Sequence, residues 1–301
     1  MSILLAQVRR ELWENRGHFY ILIAILFGLV VLASAAFGIA VGGGFTVIHP
    51  IGRASGAGVA MVGLVVGNFI YLIYSLSLLS YLSGTLYDDR KDGSVLFWRS
   101  LPVSDTTAVA GKVLTAGIVG PFFVWIAVVV GHLIALLAIA TAASARGAVG
   151  FSVFASPGAL FGTWVFFAYA LVIQTLWWLP YYAWFLFVSA ASLRGKPLIW
   201  AVLPPVIVGL AEMILSHTSH VFQFLGSHLA MSPIFSGWPS LVFSDSAIES
   251  VTHSAASANP LYSGAGWVSS FLAMPSMWIG VGVGLVLLAL AVAARRYSAT
   301  A

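Results

Sequence analysis

Apolar runs long enough to cross a lipid bilayer recur along this chain, and nothing constrains its fold more. A helix needs about 20 apolar residues to span the hydrocarbon core. Runs of about that length or longer occupy 19–41, 57–82, 113–141, 160–189, 198–216 and 271–294. They are too continuously apolar to alternate as barrel strands do. At 60% hydrophobic residues, a water-soluble domain would have no surface to present. The expectation is an all-α polytopic membrane protein: six transmembrane helices forming one domain over 19–301, preceded by an interfacial helix at 1–18.

The charges set a topology on those spans. Arg9, Arg10, Arg16, Arg90, Lys91, Arg99, Lys112, Arg194, Lys196, Arg295 and Arg296 fall on one side if both termini do, and only Arg53 and Arg146 fall on the other. Basic residues are enriched on the cytoplasmic side of membrane proteins, so both termini and the loops at 83–112 and 190–197 are expected there. The net charge of +4 is thereby a matter of topology, and nucleic acid is not an expected partner. Cysteine is absent, which excludes disulfides, thiolate metal sites and a cysteine nucleophile.

The first 18 residues combine Leu5, Val8, Leu12 and Trp13, spaced by threes and fours, with Arg9, Arg10 and Arg16. That pattern predicts a helix lying in the membrane interface with its arginines reaching lipid headgroups. Ala33-Ser34-Ala35 resembles a signal-peptide cleavage site, but the apolar run continues to Val41 and Glu11 and Glu14 stand among the arginines. Retention of the segment is therefore the expectation.

The most charged stretch lies between the second and third spans, where Asp88, Asp89, Arg90, Lys91, Asp92, Arg99, Asp105 and Lys112 gather in a chain with only 7% charged residues. Gly93 permits a sharp turn and Ser94 is suited to cap a helix. Val95, Leu96, Phe97 and Trp98 then offer a short apolar surface rimmed by Arg90, Lys91 and Arg99. Pro102 stops that helix, and Ser104 or Asp105 caps the next. Apolar knobs with a charged rim suit a groove on a soluble partner. The alternative is a solvated loop that only sets topology, for which Phe97 and Trp98 are poor choices.

The string Asp89-Arg90-Lys91-Asp92-Gly93-Ser94, followed by Leu101-Pro102-Val103-Ser104 and Gly111-Lys112, resembles the cytoplasmic loop of type-2 ATP-binding-cassette (ABC) exporter permeases. That family carries an acidic-Arg-x-x-Gly-Thr segment, a short apolar helix, a Leu-Pro-x-Ser turn and a Gly-Lys pair; Asp89 and Ser94 replace its more usual Glu and Thr. The resemblance extends to the order of elements along the whole chain. It implies a coupling helix between spans two and three, with Asp89, Arg90, Gly93, Ser94, Leu96, Phe97, Trp98, Arg99 and Pro102 contacting an ABC ATPase subunit. It also implies two ATPase copies, a second permease copy or paralogue, and a location in a bacterial-type inner (plasma) membrane.

A P-loop needs Gly-x-x-x-x-Gly-Lys followed by Ser or Thr. Gly111-Lys112 is followed by Val113 and lacks the earlier glycine. ATP and Mg are accordingly expected in the separate ATPase, with no nucleotide-binding domain, cofactor, catalytic residue or metal ligand in this chain.

Polar groups inside the spans are few. Glu212 is the only carboxylate in a predicted span, near the outer end of the fifth, and is either a structural carboxylate or a gate residue. Asn68, His132 and Gln174 suit interhelical hydrogen bonds. If the family arrangement holds, spans two and five line the translocation path, which favours Asn68 and Glu212 there. The fourth span carries an aromatic run from Trp164 to Phe187, suited to interfacial belts or lipid-facing packing, or to an amphipathic cargo. Pro121, Pro180, Pro204 and Pro205 should disturb their helices, with the adjacent pair the foremost break. Gly280 and Gly284 have the spacing of close helix packing.

The outer segment 217–270 is apolar enough to predict short helices dipping back toward the membrane, and it resembles the re-entrant element of the same exporters. Its histidines, His217, His220, His228 and His253, lack carboxylates at metal spacing. The function expected is ATP-driven export of an unidentified substrate. The alternatives are an ion-coupled secondary transporter, whose mark would be discontinuous helices around a midplane ion site, and a membrane-embedded structural subunit.

Overall fold

The computed structural model describes residues 3–18, 24, 27–28, 56–91, 103–144, 157–192, 197–230 and 270–298. Among these the regular structure is all helical. Helix α1 is Ile3–Glu14, α2 Gly56–Lys91 and α3 Asp105–Leu114; a π-helical turn, Thr115–Val119, joins α3 to α4, Gly120–Ser144. Then follow α5 (Pro157–Trp177), α6 (Leu179–Ala191), α7 (Pro197–Ser216), α8 (His220–Ala230) and α9 (Pro275–Ser298).

Five stretches are long and apolar enough to cross a membrane: Val62–Lys91, Asp105–Thr141, Pro157–Trp177, Pro197–Ser216 and Pro275–Tyr297. They match five of the six expected spans. The other, 19–41, lies outside the described residues apart from three positions.

The span read as continuous over 160–189 is two helices. The chain leaves helical geometry at Trp178 (φ −94°, ψ 4°), and Pro180 opens the next helix. Proline has no N–H to give the carbonyl four residues back, and its ring crowds that carbonyl.

The break expected at Pro204 and Pro205 does not occur, since α7 runs through both. Pro205 withholds a donor from the Ala201 carbonyl, and the Trp184 indole N–H donates to it instead at 2.8 Å. Pro121 disturbs its helix as expected, and its surroundings absorb the change. The Gly120 N–H reaches back five residues to the Thr115 carbonyl. That leaves the carbonyls of Ala116 and Gly117 without their helical donors. The Tyr74 hydroxyl donates to the first at 3.3 Å and the Thr175 hydroxyl to the second at 3.1 Å.

The core lies between α2, α4, α5, α6 and α9. Much of the aromatic run fills it, because Phe167, Trp177, Trp178 and Tyr182 are all buried; Phe161 and Tyr169 remain outside. Helix α9 presents Met277, Gly280, Gly284 and Ala291, one buried stripe at helical spacing. A methyl group on Gly284 would meet the Leu179 and Pro180 backbone at 3.2 Å, so glycine there is what lets α9 approach the break between α5 and α6. Helix α7 is the opposite case: only Ala201 and Gly209 are buried along it.

Candidate functional site

The ends of α2, α6 and α9 and the starts of α3 and α7 lie at one end of the bundle, and α1 packs across it. Helix α1 orients there by its polar residues, since Gln7 and Glu11 are the buried ones. Gly111 allows the approach: a methyl group at that position would come within 3.1 Å of the Gln7 Cβ. The face predicted from Leu5, Val8, Leu12 and Trp13 is therefore split. Leu12 packs against the core, whereas Leu5 and Trp13 point away and are 59% and 67% exposed.

Beneath α1 lies a network of buried charges. Lys112 Nζ lies 2.8 Å from Glu11 Oε1, 2.7 Å from Thr85 Oγ1 and 3.2 Å from Asp89 Oδ2. The Tyr81 hydroxyl donates to Glu11 Oε2 at 2.8 Å. Asp89 also receives Arg10 at 3.3 Å and Arg295 at 3.4 Å, and Arg295 Nε donates to Asp105 Oδ1 at 3.1 Å. Charges this deep persist only when paired and hydrogen-bonded. Each carboxylate here meets at least one cation, so the network ties α1, α2, α3 and α9 together.

Arg90 makes a second tie. Its guanidinium donates to the carbonyls of Ser189 and Ser192, each at 2.7 Å, and to that of Ala190. These carbonyls close α6, where the helix dipole favours a cation. In return Ser189 Oγ accepts from the backbone N–H of Leu86 and Tyr87, at 3.1 and 3.0 Å.

Of the residues assigned to ATPase coupling, Asp89 and Arg90 are thus held inside the chain. Gly93, Ser94, Leu96, Phe97, Trp98, Arg99 and Pro102 lie outside the described residues. The far side of that loop is fixed by Ser104, whose Oγ accepts the Thr107 N–H at 3.1 Å and caps α3.

The two residues assigned to the translocation path are engaged separately. Asn68 Nδ2 donates to the Leu64 carbonyl at 2.9 Å, and its buried Oδ1 has no hydrogen-bond partner among the described residues. Glu212 accepts from Thr218 Oγ1 at 2.9 Å and from the N–H of His220 and Val221 at 3.0 and 2.8 Å. It therefore caps α8 from the end of α7. His217, in the left-handed region at φ 51°, reverses the chain between them. Helix α8 returns along α7, with the Phe222 ring against Gly209 and the Tyr181 hydroxyl on the Leu225 carbonyl at 3.2 Å.

His132 and Gln174 are buried as interhelical residues should be. His132 Nε2 lies 2.8 Å from the Val59 carbonyl, and the Trp164 indole donates to its Nδ1 at 3.3 Å. That fixes the neutral tautomer with the proton on Nε2. Among the described residues no three side chains of the metal-binding types converge.

Glu11, Lys112 and Arg295 were not singled out as functional residues by sequence reasoning. The signal was present: an ionisable residue at the mouth of an apolar span calls for a partner, and Lys112 and Arg295 each stand at such a mouth.

The fold defines a polytopic helical membrane protein with one end stitched by buried charge. No family model matches the chain, and no curated protein does.

Proposed function

We propose that this chain is the permease subunit of a type-2 ABC exporter, driven by a separate ATPase that docks on the 88–103 loop. The six spans include 19–41, both termini are cytoplasmic, and two permeases pair with two ATPase subunits. One observation carries the reading. Both roots of the loop are internal anchors: Asp89 and Arg90 on one side, Asp105 and Lys112 on the other, joined to α1, α6 and α9. A loop that only set topology would need charges in water and no buried ties. A loop that receives a push needs rigid connections to the helices it moves, and packed elements with discrete ion pairs supply them.

The alternative, an ion-coupled carrier, has one observation in its favour, the interruption of a membrane helix at Trp178. Among the described residues no carboxylate stands beside that interruption to bind a coupling ion.

The test is co-purification of the chain with a soluble ATPase. Substituting Gly93 or Trp98 is expected to uncouple ATP turnover from transport while leaving the chain folded. Substrate movement by the isolated chain on an ion gradient, with no ATPase present, would sink the exporter reading and support the carrier.

A further inference from the structure

Helix α1 divides its charges between two faces. On the inward side Glu11 pairs with Lys112, and Arg10 reaches Glu14 at 2.7 Å and Asp89 at 3.3 Å. On the outward side stand Leu5, Ala6, Arg9, Trp13 and Arg16, all exposed. Arg9 precedes Trp13 by one helical turn, and Arg16 stands just past the end of α1, three residues after the indole. Among the described residues neither arginine has a hydrogen-bond or ion-pair partner. The carboxylates of α1 are both engaged elsewhere: Glu11 is buried against Lys112, and the exposed Glu14 is paired with Arg10.

We propose that Arg9 and Arg16, with Trp13 between them, form an anionic-phospholipid site on the outward face of α1 and the turn that follows it. Charge complementarity selects the occupant, since two unpaired cations, with the acidic groups of the helix already paired, suit phosphate oxygens, which arginine binds through its planar fork. An exposed tryptophan beside them suits the headgroup boundary, where an amphipathic ring rests its apolar body on the acyl chains. Depth agrees, because the uncharged run 19–41 follows the helix directly and α1 packs against the last turns of α2. The Glu11–Lys112 pair fixes the helix's rotation, so these side chains are held outward before lipid arrives. The site rests on the membrane class of the chain and is independent of the exporter reading.

Native mass spectrometry of the full chain in detergent, titrated with phosphatidylglycerol and with phosphatidylcholine of the same acyl chains, tests it. Wild type should retain phosphatidylglycerol preferentially. Each of Arg9→Gln and Arg16→Gln should weaken that lipid roughly fivefold and the pair about thirtyfold, from the usual contribution of a basic residue near an anionic surface. Phosphatidylcholine binding should not change. Trp13→Ala should weaken both lipids equally, and Lys91→Gln, an exposed cation at the same end but off α1, should change neither. Among the described residues neither arginine has a polar partner to lose, so an unchanged Tm verifies that the variants are folded. Undiminished phosphatidylglycerol preference in the double variant overturns the site, as does an equal loss in Lys91→Gln. A photo-crosslinker at position 13 that captures protein and no lipid in native membranes overturns it too.

Discussion

Lys112 Nζ lies 2.8 Å from Glu11 Oε1, and both side chains are 2% exposed. This pair joins the amino-terminal helix to the mouth of a membrane span 101 residues away. Removing one partner leaves the other charge buried, which typically costs about 3–5 kcal/mol. Glu11→Gln or Lys112→Met should therefore lower the Tm in detergent sharply. The double change Glu11→Leu with Lys112→Met should cost less than the sum of its parts, because neither charge is then stranded. Additive losses would mean that the two residues do not act as a pair.

Arg90 holds the end of α6 through three carbonyls. Arg90→Gln keeps a donor but loses the charge and most of the reach, and we expect about 2 kcal/mol of destabilisation from the lost charge-assisted bonds. Hydrogen exchange should show faster amides near Ser192, while those of α8 stay protected. If the stability is unchanged and only ATPase coupling falls, Arg90 serves a partner and not this helix.

The spans were legible because an apolar run of 20 residues has few other solutions in a chain this hydrophobic. Where each helix would break was less so, because a proline's effect is decided by what the neighbouring helix offers. Pro121 and Pro205 are accommodated where Thr175 and Trp184 supply the missing donors, and those donors lie 54 and 21 residues away in sequence. At Pro180 the helix is interrupted instead. The charged end was legible in part: Ser104 caps α3 as its position suggested. Asp89 and Arg90 read as exposed loop charges, and only the packing of α1, α6 and α9 around them reveals them as internal anchors.

Helix α7 passes Pro204 and Pro205 with the Trp184 indole on the Ala201 carbonyl at 2.8 Å. Trp184→Phe keeps the ring and removes the donor, stranding a carbonyl on a buried residue. The cost should be about 1–3 kcal/mol. Placing Ala at position 205 restores a backbone donor, so Trp184→Phe should cost much less in a Pro205→Ala background. A double-mutant cycle by thermal unfolding measures the coupling, and equal costs in both backgrounds would show that the indole packs without compensating the proline.

Two glycines in α9 separate close packing from helix propensity. At Gly284 a methyl group would lie 2.9 Å from the Leu179 Cγ and 3.2 Å from the backbone on which α6 begins. The backbone there cannot yield without moving α6, so Gly284→Val should overpack the contact and cost about 1–3 kcal/mol. Gly282 has nothing within 4 Å, and Gly282→Ala should leave stability unchanged or raise it by up to about 1 kcal/mol through propensity alone. Because the two positions share a helix and differ in burial, the difference between them reports the packing of α9 on the α5–α6 break. Equal effects on Tm would mean that α9 stands further from Leu179 than the geometry places it.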